Sequence, residues 1–242
     1  MNMRWMLAAM ALAVGAAPLA QAAPVKKAAT PRAHAKVAWV DTIVATPEGG
    51  VRIGNPNAKV KLVEYGSRTC PHCALFDAEG VPALRTGYIA TGQLSYEFRD
   101  FPIHGALDVG PILLGHCVPV RAFFPVLDAM MANQQALVGR PEQVPADKQQ
   151  QLQGAKPAVI AAYLAKFYGY TDLVVKKGLP LAKANACLAD TKAIDRVAQQ
   201  AEVANKSYAV NSTPTFLING AAQANAFSWS ALEPLVRAAV AK

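Results

Sequence analysis

The sequence is poor in aromatic residues, in long apolar stretches and in cysteine. Phe, Trp and Tyr make up 7% of the 242 residues, too few to alternate with basic residues as a nucleic-acid surface requires, so we expect no nucleic-acid partner. After the first 22 residues, no apolar run reaches the roughly 20 residues that span a bilayer. A chain of this length does not need its four cysteines as staples, and we expect a chemical or auxiliary role for them.

Residues 1–22 are typical of a secretory signal peptide. Arg4 supplies the positive charge, Trp5 to Ala17 form an apolar core, and Ala20-Gln21-Ala22 has the small-x-small pattern of a cleavage site. The alternative is an uncleaved membrane anchor, but the apolar core is shorter than a membrane span. We therefore expect a soluble protein that is exported to the periplasm, where disulfides form and persist.

Residues 23–49 combine a basic segment, rich in Ala and Pro, with an edge strand. The composition of the basic segment favours a solvated tail over a folded element. The apolar residues from Val37 to Val44 indicate the edge strand, and Pro47-Glu48-Gly49-Gly50 indicates a turn after it. We expect the rest of the chain, residues 50–242, to form one domain.

The first part of this domain is predicted to be a βαβ unit. Its strands cover Val60–Tyr65 and Leu94–Phe101, and the helix between them begins near Cys70 and ends near Ala90. A break in this helix is expected near Gly80-Val81-Pro82, because Pro and Gly disfavour the interior of a helix.

The remaining elements form a helical block, predicted over about residues 103–190, followed by a helix, two strands and a last helix. The block contains Ala106–Val118, Phe124–Leu137, Pro157–Phe167, Thr171–Lys177 and Leu181–Leu188, with an exposed loop at Gly139–Gly154. The later elements are the helix Thr191–Ser207, capped by Asp190, the strands Thr215–Asn219 and near Gln223–Ala226, and the helix Ser230–Ala241. This order predicts an α/β fold in which a sheet carries outer helices and an inserted, mainly helical subdomain.

Cys70 and Cys73 lie where the first strand of the βαβ unit gives way to its helix. A helix N-terminus stabilises an anion at Cys70, and the i, i+3 spacing allows a disulfide to Cys73. Pro71 suits the first helical turn, where its missing amide would have had no partner. Zinc is the alternative, but no second Cys-x-x-Cys or His-x-x-x-His is present. The motif therefore predicts a redox dithiol and no metal.

Three histidines and the other two cysteines complete the set of candidate residues. A cationic His72 would favour the Cys70 thiolate; the alternative is an exposed histidine without an electrostatic role. His104 and His116 are interpreted as ordinary polar residues near helix ends. Cys117 and Cys187 begin and end the helical block, and in an oxidising compartment we expect a structural disulfide between them rather than two buried thiols.

The segment Glu64 to Cys73, together with Thr213-Pro214-Thr215-Phe216, resembles the DsbA-like branch of the thioredoxin-fold thiol:disulfide oxidoreductases. The resemblance covers about Gly50 to Ala241. It implies a thioredoxin-like fold, with βαβ and ββα halves, around the helical insertion at about 103–190. Thr213 departs from the Val of the best-known members, at a position that faces the dithiol in that family.

The resemblance also implies roles for individual residues. Cys70 would be the exposed attacking thiol, Cys73 the buried resolving thiol, and Pro214 a cis-proline that faces them. Glu64 would be a buried carboxyl group that exchanges a proton with Cys73; the alternative is a glutamate at the strand end that points to solvent. Thr213 and Pro214 would bind an extended substrate segment through their backbone.

We therefore predict an exported protein-disulfide oxidoreductase, a thiol oxidase that introduces disulfides into cell-envelope or secreted proteins. The expected partners are reduced substrate proteins and a separate membrane protein that reoxidises the dithiol. No cofactor is expected. We expect a monomer, because the roughly 30 residues between the signal peptide and Ile53 are too few and too rich in Lys, Ala and Pro for an oligomerisation module. A disulfide isomerase or reductase of the same fold, and a non-catalytic metal-binding thiol protein, remain the alternatives.

Overall fold

The structure is a computed structural model that describes Met1 and residues 38–139 and 144–242. The predicted signal peptide and the basic Ala/Pro-rich segment lie outside the described residues, apart from Met1. The edge strand is shorter than predicted. A 3₁₀ turn occupies Trp39–Asp41, and the strand covers only Ile43–Ala45.

A six-stranded mixed sheet forms the centre of the fold. Its strands are β1 (Ile43–Ala45), β2 (Val51–Gly54), β3 (Val60–Gly66), β4 (Leu94–Asp100), β5 (Thr215–Ile218) and β6 (Ala221–Ala222), in the spatial order β1-β2-β4-β3-β5-β6. Among these six strands, β3 and β4 pair in parallel and the other neighbours pair antiparallel. The helix that follows β3 makes the crossover that a parallel pair requires. Every residue of β3 except Lys61 is buried, because helices cover both faces of this central strand.

The crossover helix α1 (Pro71–Ala83) is continuous, so the break predicted near Gly80-Val81-Pro82 is wrong. The helical winding changes directly after Ala83, where Leu84–Ile89 form a π-helical segment. Phe76, Gly80 and Val81 are buried against the sheet, and this packing outweighs the local cost of Pro82.

Between β4 and β5, the described residues form eight α-helices. They are α2 (Ala106–Cys117), α3 (Phe123–Ala132), α4 (Gln134–Leu137), α5 (Ala146–Leu152), α6 (Pro157–Phe167), α7 (Tyr170–Lys176), α8 (Leu181–Leu188) and α9 (Thr191–Tyr208). Asp190 caps α9 as predicted, since its Oδ1 accepts a hydrogen bond from Ala193 N. The loop predicted at 139–154 is wrong over α5, whose Ala, Lys and Gln residues are good helix formers. Its side chains are not buried, so the helix leaves no amphipathic pattern in the sequence.

The two faces of the sheet are covered differently. One face packs against α1 and the last helix, α10 (Trp229–Ala241), through Phe76, Phe216 and Leu232. The opposite face packs against α9 around Tyr65 and Leu217. A second apolar core joins helices of the block between β4 and α9.

The partner strand of β5 lies two residues earlier than predicted. Asn219 and Gly220 both have positive φ and form a tight turn, so pairing resumes at once in β6 and not near Gln223–Ala226. Asn-Gly is a common hairpin turn sequence. The position of β6 could therefore have been taken from these two residues.

Over the described residues, we find no single helix that has both the length and the apolar character to cross a membrane. The bent pair of α6 and α7 meets these criteria together, by length and composition only.

Candidate active site

The two cysteines of the motif lie at the junction of β3 and α1, at the end of the parallel strand pair. Cys70 is the N-cap residue of α1 and Pro71 occupies the first helical position. Both side chains are buried, with Cys70 6% exposed and Cys73 0%. The expectation of an exposed Cys70 is therefore wrong, because the loop that contains Thr213 covers its sulfur. Both are free thiols, so the structure holds the dithiol form.

The surroundings of Cys70 stabilise its thiolate. The pKa of Cys70 is lowered to about 5, chiefly by a hydrogen bond from the Cys73 thiol and also by the Thr213 side chain and the backbone amides of Cys73 and His72. Burial opposes this effect but does not cancel it. The amides belong to the first turn of α1, which is the stabilisation expected at a helix N-terminus.

The loop before β5 faces Cys70. The peptide bond between Thr213 and Pro214 is cis, and Cys70 Sγ donates a hydrogen bond to Thr213 O at 3.3 Å. Thr213 Oγ1 is buried and makes no hydrogen bond to the thiol form. It is therefore free to donate one when Cys70 becomes a thiolate.

The pKa of Cys73 is shifted in the opposite direction from that of Cys70. Burial raises its pKa well above the usual value, and the hydrogen bond to Cys70 and the charge of Glu64 raise it further. The amide of Ser67 donates to Cys73 Sγ at 3.4 Å, which only partly offsets these effects. The pair thus consists of one acidic thiol near the surface and one protonated thiol in the interior.

Glu64 is 1% exposed, so the alternative of a solvent-pointing glutamate is wrong. Tyr96 Oη donates to Glu64 Oε2 at 2.6 Å. Burial raises the pKa of Glu64 to about 8, against the opposing effect of the Tyr96 hydrogen bond. Gly66 leaves room for this carboxyl group, because a Cβ at Gly66 would lie 2.7 Å from Glu64 Oε1.

The three candidate histidines lie at or near helix ends. His72 is exposed on the first turn of α1, and its backbone amide acts on Cys70. His104 Nδ1 lies 2.7 Å from Thr69 Oγ1, and His116 Nε2 lies 2.9 Å from Asp100 Oδ2. Both residues are near the ends of α2 as interpreted, but each also contacts the residues that support the cysteines.

Residues 67–70, which we call the active-site loop, are held by side chains from outside the βαβ unit. The buried Asp108 of α2 accepts hydrogen bonds from Ser67 Oγ at 2.7 Å and from Thr69 Oγ1 at 2.8 Å. Burial raises the pKa of Asp108, which these hydrogen bonds oppose. The loop side chains on either side of Arg68 are therefore anchored to a single carboxyl group.

Arg68 is fully buried and forms a bidentate ion pair. Its Nε and Nη2 donate to the two oxygens of Asp100 at 2.7 and 3.1 Å, and its guanidinium lies 5.0 Å from the centroid of the Phe123 ring. Although burial opposes the effect, the charge of Arg68 lowers the pKa of Asp100. Gly115 of α2 makes room for this arginine, because a Cβ there would lie 2.2 Å from Arg68 Nη1.

Two helices of the block also bind the backbone of the active-site loop. Gln134 Nε2 donates to Arg68 O at 3.1 Å and to Cys70 O at 3.0 Å, and Tyr170 Oη donates to Arg68 O at 3.2 Å. Sequence analysis missed Arg68, Asp100, Asp108, Gln134 and Tyr170. The available signal was weak: polar residues at positions that face the core of otherwise apolar segments.

The other two cysteines form a disulfide. Cys117 ends α2, Cys187 lies near the end of α8, and their sulfurs are bonded at 1.95 Å across a sequence separation of 70. In residues 38–139 and 144–242 we find no group of three His, Cys, Asp or Glu side chains that could hold a metal ion.

Comparison with known proteins relates the whole described region to one family. The family model described as Thioredoxin matches residues 46–238. A Rickettsia bellii protein named as a protein-disulfide oxidoreductase is 26% identical over 174 residues, which cover 72% of this chain and 58% of that protein. The chain thus spans little more than half the length of the Rickettsia relatives that it matches most extensively.

Two solved structures show the likeness in three dimensions. A structure titled protein-disulfide isomerase from Novosphingobium aromaticivorans is 27% identical and superposes with a TM-score of 0.73, over 79% of this chain and 97% of that chain. Alpha-DsbA1 of Wolbachia pipientis is 20% identical, with a TM-score of 0.62 over 78% and 90% of the two chains. At 20% identity, the similarity to the Wolbachia protein shows a shared fold.

Proposed function

This chain belongs to the thioredoxin family and has its fold, as the resemblance predicted, and we propose that it is an exported thiol oxidase. It would introduce disulfides into cell-envelope or secreted proteins through Cys70 and Cys73. The observation that supports this activity most directly is the contrast between the thiols, with a pKa of about 5 at Cys70 and one well above the usual value at Cys73. Export rests on residues 1–22, which we propose are removed as a signal peptide.

The proposed reaction transfers two electrons from a substrate dithiol to the Cys70–Cys73 disulfide. A substrate thiolate attacks Cys70 Sγ, a mixed disulfide forms, and Cys73 leaves as a thiolate that takes up a proton. A second substrate thiolate then attacks the substrate sulfur of the mixed disulfide and releases Cys70 as a thiolate. Because a thiol of low pKa is a good leaving group, the second step favours the oxidised substrate and the reduced enzyme.

Glu64 is the group that we propose gives Cys73 its proton. A carboxyl group with a pKa of about 8 is mainly protonated at neutral pH, so it can act as a general acid for the departing thiolate. The charge of Glu64 acts on Cys73. Without such a proton, the Cys73 thiolate and the Glu64 carboxylate would both be charged in an interior that stabilises neither anion.

Partners are proposed from the same chemistry. Thr213 O already accepts a hydrogen bond from Cys70, so a substrate segment that pairs with the backbone of Thr213 and Pro214 would lie beside the attacked sulfur. The reduced dithiol must lose its electrons to a separate protein, which we propose is a membrane protein. We also propose that the chain acts as a monomer.

Replacing Cys70 tests the assignment. We expect Cys70→Ser to abolish the oxidation of a substrate protein whose native disulfides have been reduced. Loss of free thiols from the substrate measures this oxidation. Cys73→Ala, incubated with the same substrate in its disulfide form, should instead accumulate mixed disulfides, because the Cys70 thiolate attacks a substrate disulfide, releases one substrate thiolate, and has no neighbouring thiol to resolve the adduct. Dithiothreitol should remove these adducts. Oxidation by Cys70→Ser at the wild-type rate would contradict the proposal.

Disulfide isomerase activity is a second candidate, because the structure with the TM-score of 0.73 carries that title. Refolding of a substrate with scrambled disulfides, under conditions that supply no net oxidant, separates the two activities. An oxidase should act on reduced substrate and leave the scrambled one largely unchanged. Faster recovery of the scrambled substrate than oxidation of the reduced one would favour the isomerase.

A further inference from the structure

A cleft of about 500 Å³ opens on the sheet face that packs against α9, away from the cysteines. Its walls include Arg52 of β2, Lys61 of β3, Ser95 of β4 and Lys59 just before β3. Lys59 and Lys61 lie at the start of β3, whereas Cys70 follows the end of that strand. The cleft and the dithiol are therefore at opposite ends of the same strand.

The charge of the cleft is unbalanced toward positive. Its two acidic residues, Glu48 and Glu97, both pair with Arg99, at 3.8 and 2.6 Å. Within the part of the chain that the structure describes, no carboxylate pairs with Arg52, Lys59 or Lys61. Lys59 Nζ has a neutral acceptor, Val240 O at 3.4 Å. The four basic and two acidic residues that line the cleft leave it with a net charge of +2.

Two buried polar groups in the cleft also have no partner. Ser95 is 1% exposed and its Oγ makes no hydrogen bond, and the same is true of the buried Nε of Arg52. These are two of the five buried side-chain polar atoms in the described residues that lack a partner. A buried donor without a partner costs about 1–3 kcal/mol, and so a natural explanation is a ligand that accepts its hydrogen bond.

The strand register places these groups together. Lys61 pairs directly with Ser95 across β3 and β4, while Arg52 pairs with Glu97, two residues further along β4. Residues directly opposite each other and residues two apart share one face of a sheet. The guanidinium, the ammonium and the hydroxyl group thus converge on one volume.

We propose that this cleft binds a small multivalent oxyanion, with a phosphate group as the chemical type. An arginine offers several donors in a plane that matches phosphate oxygens, and a lysine adds a point charge. The serine hydroxyl would give a further hydrogen bond, and the volume lies in the range of small-ligand sites, about 300–1,000 Å³. This site does not depend on the thiol chemistry proposed above.

Titration calorimetry of the purified protein with inorganic phosphate tests the site, at constant ionic strength maintained with sodium chloride. We expect saturable binding of one phosphate per chain. The dissociation constant should rise about tenfold in Lys61→Gln, since a charged hydrogen bond contributes about 1.5–3 kcal/mol and 1.4 kcal/mol is tenfold. Ser95→Ala should raise it about threefold or more.

Lys192→Gln is the matched control, because it removes the same charge from an exposed position of α9 that does not line the cleft. It should bind phosphate as the wild type does. No saturable binding, or an equal loss in Lys61→Gln and Lys192→Gln, would overturn the proposal. Glycerol phosphate as a second probe distinguishes the sources: tighter binding than phosphate indicates an organic ester, and equal binding indicates the free ion.

Discussion

Cys70 and Cys73 show how one side chain acquires two chemistries from its surroundings. Cys70 has amide and hydroxyl donors around its sulfur, whereas Cys73 lies in the interior beside Glu64. The spacing of the cysteines and the helix start were sufficient to predict where the acidic thiol lies. The donor from Thr213 was available only through the family resemblance, because 143 residues separate it from Cys70.

The first prediction concerns the ionisation of Cys70. Its alkylation by iodoacetamide should be constant at neutral pH and should fall as the pH falls through about 5, since only the thiolate reacts. In Thr213→Val the hydroxyl donor is lost, and we expect this midpoint to rise by about one pH unit. Thiolate absorbance near 240 nm measures the same ionisation independently.

Thr215→Val is the control for this shift, because the Thr215 hydroxyl donates to Ser212 O and not to a thiol. Its midpoint should stay at the wild-type value. An unchanged midpoint in Thr213→Val would show that the hydroxyl does not stabilise the thiolate.

The second prediction concerns the proton of Glu64. In the wild type, the rate constant with which a reduced substrate opens the Cys70–Cys73 disulfide, expressed per substrate thiolate, should fall as the pH rises through about 8, where Glu64 loses its proton. Glu64→Gln cannot supply a proton, so we expect a rate about a hundredfold lower at neutral pH and no such pH dependence. Stopped-flow tryptophan fluorescence can follow the step.

Glu79→Gln provides the comparison, since Glu79 is an exposed carboxylate on the same helix, α1. It should keep the wild-type rate and pH profile. If Glu64→Gln retained the fall near pH 8, another acid would have to be the proton donor.

At the scale of elements, the active-site loop depends on helices that follow it in the chain. Asp108 of α2 binds side chains of the loop, while Gln134 of α4 and Tyr170 of α7 bind its backbone. The i, i+3 pattern predicted the bounds of helices such as α6 and α8, because that pattern is local. Contacts across 64 or 102 residues are determined by packing between helices, and no local pattern encodes them.

The third prediction isolates the effect of Gln134. Gln134→Met keeps the size of the side chain but removes its two donors, leaving Cys70 O with only the amide of Ala74. We expect the first turn of α1 to loosen and the pKa of Cys70 to rise by about half a unit or more, with a matching fall in the equilibrium constant for oxidation of glutathione.

Tyr170→Phe is the matched variant, since it removes a hydrogen bond to Arg68 O and leaves Cys70 O bound to Gln134. It should change stability more than thiol ionisation. A purely structural role for Gln134 would give the converse result, with a lower melting temperature and an unchanged Cys70 pKa.

At the scale of the whole molecule, the Cys117–Cys187 disulfide connects α2 to α8 within the helical block. It joins helices that pack around the second apolar core. The fourth prediction is that Cys117→Ser combined with Cys187→Ser lowers the free energy of unfolding by about 4 kcal/mol, because the bridge closes a loop of about 70 residues. Urea denaturation followed by circular dichroism gives the value.

A reducing agent supplies the control for this stability loss. Dithiothreitol also reduces Cys70 and Cys73 in both proteins, so in its presence the urea midpoints of the wild type and the double variant should coincide. Equal midpoints for wild type and variant without reductant would mean that the bridge adds no stability.

The two cysteine pairs also follow one another along the chain without interlacing: Cys70 with Cys73, then Cys117 with Cys187. If the chain is exported with its amino end first, as proposed, its cysteines reach the oxidising compartment in the order Cys70, Cys73, Cys117 and Cys187. Each cysteine is then next to its own partner in that order. If each pair closes as it emerges, neither thiol of the second pair meets a free thiol of the first. Biogenesis of this protein would then need no reshuffling of disulfides. Cys117 can pair only after the next 70 residues have entered the compartment.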